Sequence, residues 1–415
     1  MTAWFVLVES NTTGSGQVFC ARARARGLRP IVLTAAPGRY PYLDTDSVDR
    51  LVVDTGDAAA VLAACRSLSR VVGITSSSEY FIATAAEVAA DLGLPGPDPV
   101  AVRSCRDKAW QRATLAGAGI AVPGFRVVTT DAVDGVLAAR ELGFPVVVKP
   151  ATGSGSLGVR LCADEDEVAR AVGVLLAMTT DERGAPREPV VLVERFARGR
   201  EFSVETVGDT VAGITGKHLG AQPFFVETGH DFPARVRDTE RDELVETTLA
   251  ALSALGVGWG AAHTELRLTP TGPVLIEVNP RLAGGMIPAV VAAATGLDLV
   301  DACVARACGE PPPTAVGGPG AAAIRFVLAR GPGVVSAVSG LREAAALPGV
   351  AAARVTTAVG ARLGEPTGSF QDRVGHVITT AATASTAAAR AEAALAVVGV
   401  AVSRAARADA VRLPR

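Results

Sequence analysis

The pattern of apolar and polar positions divides the first hundred residues into alternating strands and helices. Trp4–Val8 is a short apolar run, followed by the polar, Gly/Ser/Thr-rich stretch Asn11–Gly16. The spacing then predicts a helix over Val18–Arg26, a strand over Pro30–Thr34 and another over Arg50–Asp54. A helix over Ala58–Ser69 and a strand over Val71–Ser76 complete the series. Strands alternating with helices at this spacing predict an open parallel α/β sheet. Pro/Gly-rich stretches at Leu92–Pro99 and Glu310–Gly320 read as boundaries. They divide the chain into an N-terminal α/β domain (1–104), a charge-richer central region (105–310) and an Ala/Val-rich C-terminal α+β subdomain (311–415). In the tail, Ala322–Leu328 and Val374–Thr379 read as strands, Ala388–Leu395 as a helix, and Arg404–Arg415 as a frayed end.

Composition sharpens this picture at one point. The chain has 415 residues and a formal net charge of -2, with 49% hydrophobic and 20% charged residues. These values exclude wholesale disorder and give no polyanion-binding signature. Neither a nucleic-acid nor a membrane partner is expected. Lys108, Lys149 and Lys217 are the only lysines, and Asn11 and Asn279 the only asparagines. Arginine has replaced lysine wherever a generic cation serves, so these lysines are enriched for positions needing a compact ammonium. The six cysteines show no CxxC pairing, so neither zinc nor a disulfide framework is suggested. The N-terminus lacks a basic segment ahead of a long apolar stretch, and no apolar run is long enough to span a bilayer. A cytoplasmic location is the expectation.

Three constellations carry chemistry. The first is the apolar run Pro145–Val148 ending in Lys149, then the loop Gly153-Ser154-Gly155-Ser156-Leu157-Gly158. Glycines let backbone amides approach an anion, and the lysine supplies a mobile charge, so phosphate is the natural guest. The GxxxxGK[ST] order is absent. The second is Val190–Glu194 and Arg200–Glu205 around a glycine turn, which reads as a hairpin. The third is the sharpest: His263, Glu265, the turn Thr269–Gly272, then Glu277, Asn279, Pro280 and Arg281. Glu265 and Glu277 are expected to face each other across a ladder. Glu277, Asn279 and Arg281, two apart, are expected on one face. Two carboxylates and an amide oxygen suit Mg²⁺. An arginine beside them would stabilise a transferring phosphoryl group.

Taken in this order, the three constellations resemble the ATP-grasp superfamily over about residues 1–310. The resemblance implies an ATP-grasp fold, in which central and C-terminal subdomains close on ATP after an N-terminal open parallel α/β domain. The lid subdomain would span about 120–198. The implied roles are residue-specific. Lys108, Lys149 and Lys217 contact phosphates. Ser154, Gly155 and Ser156 cover the triphosphate. Glu194, Arg195, Phe196 and Ala197 form the adenine-reading hinge, and Glu201 accepts from the ribose. Glu265, Glu277 and Asn279 hold Mg²⁺, as two ions, with Mn²⁺ as a substitute. Arg281 holds an acyl phosphate. The stretches Phe225–Pro233, Asn279–Pro288 and Phe370–His376 resemble the L-amino-acid ligase branch more closely, which extends the resemblance to nearly the whole chain. That branch implies substrate contacts at Glu227 and His230, the latter in a loop, and a homodimer. Gly284, Gly285 and Met286 suggest a roomy acyl pocket beside Arg281, although glycines can equally mark a backbone turn.

The implied activity is ATP-dependent ligation of a carboxylate to an amine, in peptide-type secondary metabolism such as dipeptide antibiotic biosynthesis. Two other readings stand beside it. One is a biotin-dependent or purine-type carboxylase, and the other a non-catalytic ATP-binding regulator. Asn11–Gly16 and Glu79 lie at strand ends where an α/β sheet places its crevice, and are candidate substrate contacts.

Overall fold

A computed structural model describes residues 3–11, 14–181, 183–315, 317–329 and 331–403. The expected frayed end and part of the Asn11–Gly16 loop lie outside them. Four strands form the N-terminal sheet: β1 (Trp4–Val8), β2 (Arg29–Thr34), β3 (Asp49–Val52) and β4 (Val71–Thr75). They pair in the order β3-β2-β1-β4, all parallel. Helices Ser15–Ala25, Ala58–Arg66 and Ile82–Asp91 supply apolar residues to cores on the two faces. A parallel sheet needs both faces covered, so its strands read as continuous Val/Ile/Leu runs.

One buried carboxylate pins the ends of this sheet. Glu9, just past β1, has a φ of 54° and 2% exposure. It accepts hydrogen bonds from Thr34 Oγ1 (2.9 Å), the Ala35 amide (2.8 Å), the Tyr40 hydroxyl (2.6 Å) and Thr55 Oγ1 (2.9 Å). Four donors satisfy a group whose burial would otherwise be costly.

A second sheet holds β5 (Phe125–Val128), β6 (Val146–Pro150), β7 (Arg160–Cys162) and β8 (Val191–Arg195), in the antiparallel order β5-β8-β6-β7. The remaining strands are β9 (Arg200–Val207), β10 (Thr210–Leu219), β11 (Glu227–Phe232), β12 (Ala261–Thr269), β13 (Gly272–Asn279), β14 (Ala321–Leu328), β15 (Gly333–Ser339), β16 (Val350–Val355), β17 (Arg362–Leu363), β18 (Arg373–Ala381) and β19 (Gly399–Ser403). Eight of them form one sheet, ordered β13-β12-β9-β10-β11-β14-β18-β16. Strands β17, β15 and β19 form a small separate sheet. Among the described residues, no single helix is long and apolar enough to cross a membrane.

Three expectations change here. The stretches around Glu194 and Arg200 are not a hairpin, because β8 and β9 belong to different sheets. The glycine between them, Gly199, is a crossing point where a Cβ would lie 2.1 Å from the Leu268 carbonyl oxygen. Alternation gives a strand's facing but not its partner. His230 is not in a loop. It lies in β11, where Lys217 is its register partner on β10 and Ile324 on β14. Gly229 permits this close pairing, since a Cβ there would lie 2.5 Å from the Ile324 carbonyl oxygen. Finally, the tail strands β14, β16 and β18 extend the same sheet that carries β9–β13, continuing the central region past Glu310–Gly320.

Candidate active site

The site forms where the second sheet faces the eight-stranded one. Asp107 caps the helix Lys108–Gly117, its side chain accepting from the amides of Ala109 (2.8 Å) and Trp110 (3.3 Å). That cap fixes Lys108 at the first helical position, where a cation opposes the helix dipole. Its partners offset the cost: Lys108 Nζ donates to Gly153 O at 2.8 Å and lies 3.1 Å from Glu277. Lys149 ends β6, fully inside, 2.7 Å from Glu194 on β8. Burial pushes the Lys149 ammonium down to about 8, against the pull of Glu194. Burial would raise the Glu194 carboxyl, but Arg112 and Lys149 hold it below the usual range. Arg112 is completely buried and donates to Glu194 (2.7 Å) and to Ile276 O (2.5 Å), bridging the two sheets.

Lys217, on β10, is the centre of the second cluster. It lies 3.0 Å from Glu201, 2.9 Å from Glu227 and 2.8 Å from Glu265. Burial works against its charge, but Glu227, Glu265 and Glu201 raise it well above the ordinary lysine range. Each carboxylate has a second cation. Arg267 reaches Glu201 at 2.8 Å, Arg373 reaches Glu227, and His263 reaches Glu265 at 3.0 Å. His263 also lies 2.9 Å from Glu205. Burial would neutralise this imidazole, but Glu205 and Glu265 hold it up to about 9. Lys217, Arg267, Arg373 and protonated His263 thus balance Glu201, Glu205, Glu227 and Glu265. Buried charges are tolerated when paired in this way.

On β12 and β13, Glu265 and Glu277 face each other in register, as do His263 and Asn279. Arg281 lies just past the end of β13. Its Nη2 is 2.9 Å from Glu79, and its Nη1 donates to Leu282 O. Burial would raise the Glu79 carboxyl, but Arg281 draws it down to about 2. A cavity lies among Glu79, Gly153, Glu277 and Asn279. No group of three His, Cys, Asp or Glu side chains among the described residues is arranged as a metal cage. Glu277 and Asn279 border this cavity and Glu265 is the register partner of Glu277, a set of two carboxylates and an amide oxygen that fits Mg²⁺, which commonly takes one or two carboxylates and completes its shell with phosphates and water.

The loop after β6 is held from two sides. Gly155 and Ser156 have φ of 62° and 63°. A Cβ on Gly155 would lie 2.2 Å from the Phe370 ring, and Ser156 Oγ donates to Phe225 O at 3.3 Å. At the crossing between sheets, Arg195 turns outward to Leu142 O, and Phe196 packs against Phe225 with ring centroids 6.2 Å apart. Ala197 O accepts from Arg267 at 3.1 Å.

Gly285 is a glycine for close packing rather than for room. Its φ is 58°, and a Cβ would lie 2.6 Å from His230 Nε2, whereas Gly284 has open space beside it. His230 is fully buried, edge-on to Phe326, and neither ring nitrogen has a hydrogen-bond partner among the described residues. Burial pushes its imidazole down to about 3, outweighing Glu227 at 3.6 Å. The unfolded chain therefore takes up a proton below the ordinary value of 6.5 that the folded chain refuses until about 3. Stability is intact above pH 6.5 and falls as the pH drops towards 3. We expect this group to remove about 1.4 kcal/mol per pH unit below 6.5, and His230→Asn to lose that component. Urea unfolding at pH 7.5, 6.5 and 5.5 reads it; identical pH slopes for the two proteins would refute it.

Four residues of the site escaped the sequence reading: Arg112, Arg267, Arg373 and, as an ion-pair partner of Arg281, Glu79. Arg373 lies within the Phe370–His376 stretch of the ligase-branch resemblance, and Glu79 is a candidate substrate contact by its strand-end position. Arg112 and Arg267 had no local signal.

Comparisons with known proteins bear on the family. Residues 142–289 match the ATP-grasp domain, and residues 325–403 match the L-amino acid ligase C-terminal domain 2. A protein of Sinorhizobium fredii described as uncharacterized protein y4rH is 38% identical over 385 residues, covering 92% of this chain and 79% of that protein. Alanine–anticapsin ligase of Bacillus subtilis is 30% identical over 237 residues, 52% of this chain and 49% of the relative, so this match spans about half of that protein. The crystal structure of L-amino acid ligase from Bacillus licheniformis superposes with a TM-score of 0.79 over 97% of this chain and 99% of that one, at 23% identity. The chain belongs to the ATP-grasp ligases, a family that uses ATP with Mg²⁺, and carries the C-terminal domain of the L-amino acid ligases.

Proposed function

We propose that the protein joins a carboxylate to an amine, both amino acids or amino-acid-like, through an acyl phosphate. One observation carries this reading. The chain's three lysines, two facing glutamates and Arg281 gather around one line of buried charge leading to the cavity at Glu277 and Asn279. In the first step a carboxylate oxygen attacks the γ-phosphorus, and the bond to the ADP oxygen breaks. In the second the amine nitrogen attacks the acyl carbon, the bond to phosphate breaks, and the amine loses a proton. Both steps demand fixed positive charge on phosphoryl and acyl oxygens. Lys108 and Lys149 would hold the phosphates, with Ser154, Gly155 and Ser156 closing over them. Glu194–Ala197 would border the adenine and Glu201 the ribose. Lys217 would face the γ-phosphate and Arg281 the acyl phosphate. Glu265, Glu277 and Asn279 would hold Mg²⁺, which supplies charge neutralisation at the phosphates.

Glu227 and His230 would contact the substrate. The His230 imidazole, at about 3, and the Glu227 carboxyl, held low by Lys217 against its burial, suit contacts to an ammonium better than proton abstraction near neutrality. A carboxylase would share the ATP apparatus. The match of residues 325–403 to the L-amino acid ligase C-terminal domain, whose Arg373 enters the site, favours ligation. Incubating the protein with MgATP and amino-acid pairs should release ADP and phosphate and give a product heavier by the joined pair, read by mass spectrometry. ADP release with bicarbonate alone and with no amino-acid pair would overturn the ligase reading.

A further inference from the structure

A second cavity adjoins the first and differs from it in chemistry. It opens where the N-terminal layer meets the eight-stranded sheet. Phe19, Ile82 and Ala86 line it on one side, and Trp259, Leu282 and Cys303 on the other. Its polar edge is Thr75–Ser77, at the carboxyl end of β4, where open α/β sheets place their ligands. Among the described residues, Arg281 and Arg306 are its only charged lining residues, and the Arg306 guanidinium stacks on Trp259 at 5.0 Å. Ile82 and Pro280 border both cavities. The order along the chain is therefore Glu277 and Asn279, then Pro280 and Arg281, then an apolar chamber.

We propose that this chamber receives the side chain of the carboxylate-donating substrate, and that the donor is an amino acid with a bulky aliphatic or aromatic side chain. The inference rests on the ligase reading and on Arg281 holding the acyl phosphate. With the reacting oxygens towards Glu277 and Asn279, the rest of the acyl group extends past Pro280 into the chamber. The other direction offers no equivalent. The cluster around Lys217 is charged throughout, and burying apolar surface against desolvated ions forfeits the hydrophobic gain. Gly285 adds no space there, because His230 packs against it. A cationic side chain in the chamber would meet Arg281 and Arg306 without a counter-charge.

The test is a donor panel with MgATP and a fixed acceptor, scored by kcat/KM for ADP release and by the residue order in the product. Leucine- and phenylalanine-type donors should exceed glycine and aspartate by about tenfold or more, since pocket discrimination of that size comes from a few buried methylenes. Ala86→Phe, which fills the chamber, should lower the ratio of bulky to small donors about tenfold. Ile82→Ala, which enlarges it, should raise the ratio of tryptophan to leucine, and reads in the opposite direction if the filling variant does not fold. Preference for glycine, aspartate or glutamate as donor, or ratios unmoved in both variants, would overturn the chamber's assignment alone. No ADP release with any pair would instead overturn the ligase reading beneath it.

Discussion

Replacing Glu277 with glutamine should lower turnover by roughly a hundred- to a thousandfold, about 3–4 kcal/mol of charge stabilisation, with little loss of stability. Glutamine keeps the shape and one oxygen but removes the charge that a hard divalent cation prefers. The fold should tolerate it. Glu277 is part-exposed (side-chain exposure 19%), and its partner Lys108 keeps the hydrogen bond to Gly153 O. The loss should be partly recovered by raising Mg²⁺, because a weakened site fills by mass action. Steady-state ADP release at increasing Mg²⁺, with urea unfolding as a control, measures this. Turnover within threefold of the parent at low Mg²⁺ would remove Glu277 from the metal site and leave it as a partner of Lys108 only.

The residues that were legible in the sequence share a physical reason. Lys108, Lys149, Lys217 and Asn279 stand out because the chain otherwise avoids their types, and all four lie in or beside the charged cluster. The tight turn Thr269–Gly272 made the pairing of β12 with β13 legible, but a bulge between Glu265 and Leu266, which has no local mark, is what brings Glu277 rather than Ile276 opposite Glu265. The parallel N-terminal sheet was legible because apolar runs and helical spacing alternate without interruption. Arg112 and Arg267 were not legible. In a chain where arginine is the generic cation, an arginine on a helix or strand carries no local mark of being buried. Only the packing of Arg112 between Glu194 and Ile276 shows its role as a bridge between sheets. Strand β11 was missed because Glu227-Thr-Gly-His-Asp-Phe lacks β-branched residues apart from Thr228. Its stability comes from pairing on both sides and from ion pairs such as Asp231 with Arg325 at 2.8 Å, which are long-range contacts. The same limit explains β8 and β9, whose facing was readable and whose partners were not.

Replacing Lys217 with methionine should cost about 3–5 kcal/mol of stability and abolish ADP release. Methionine matches the length of the lysine stem, so the packing term is small and the charge term dominates. The cation count is decisive. With Lys217 present, its cluster balances four cations against four carboxylates. Without it, three cations, Arg267, Arg373 and His263, face four carboxylates, and one negative charge is left uncompensated inside the protein. The folded variant can relieve that charge by binding a proton, so a carboxyl in the cluster acquires a folded-state pKa above its unfolded one. Such a group stabilises the folded state below the unfolded pKa, and that contribution is lost as the pH rises through the folded value. The deficit of the variant should therefore be largest above pH 7 and shrink as the pH falls towards 5. Lys217→Arg should restore part of the stability but less of the turnover. Three carboxylates converge on one ammonium at 2.8–3.0 Å from different sides, a geometry that a planar guanidinium does not reproduce. Urea unfolding of the parent and both variants at pH 5.5 and 8 reads the stability terms. A loss below about 1 kcal/mol, or one independent of pH, would mean that solvent screens the cluster as it screens surface ion pairs. Full activity in Lys217→Arg would mean that this lysine is a product of chance in an arginine-rich chain and not a requirement of the site.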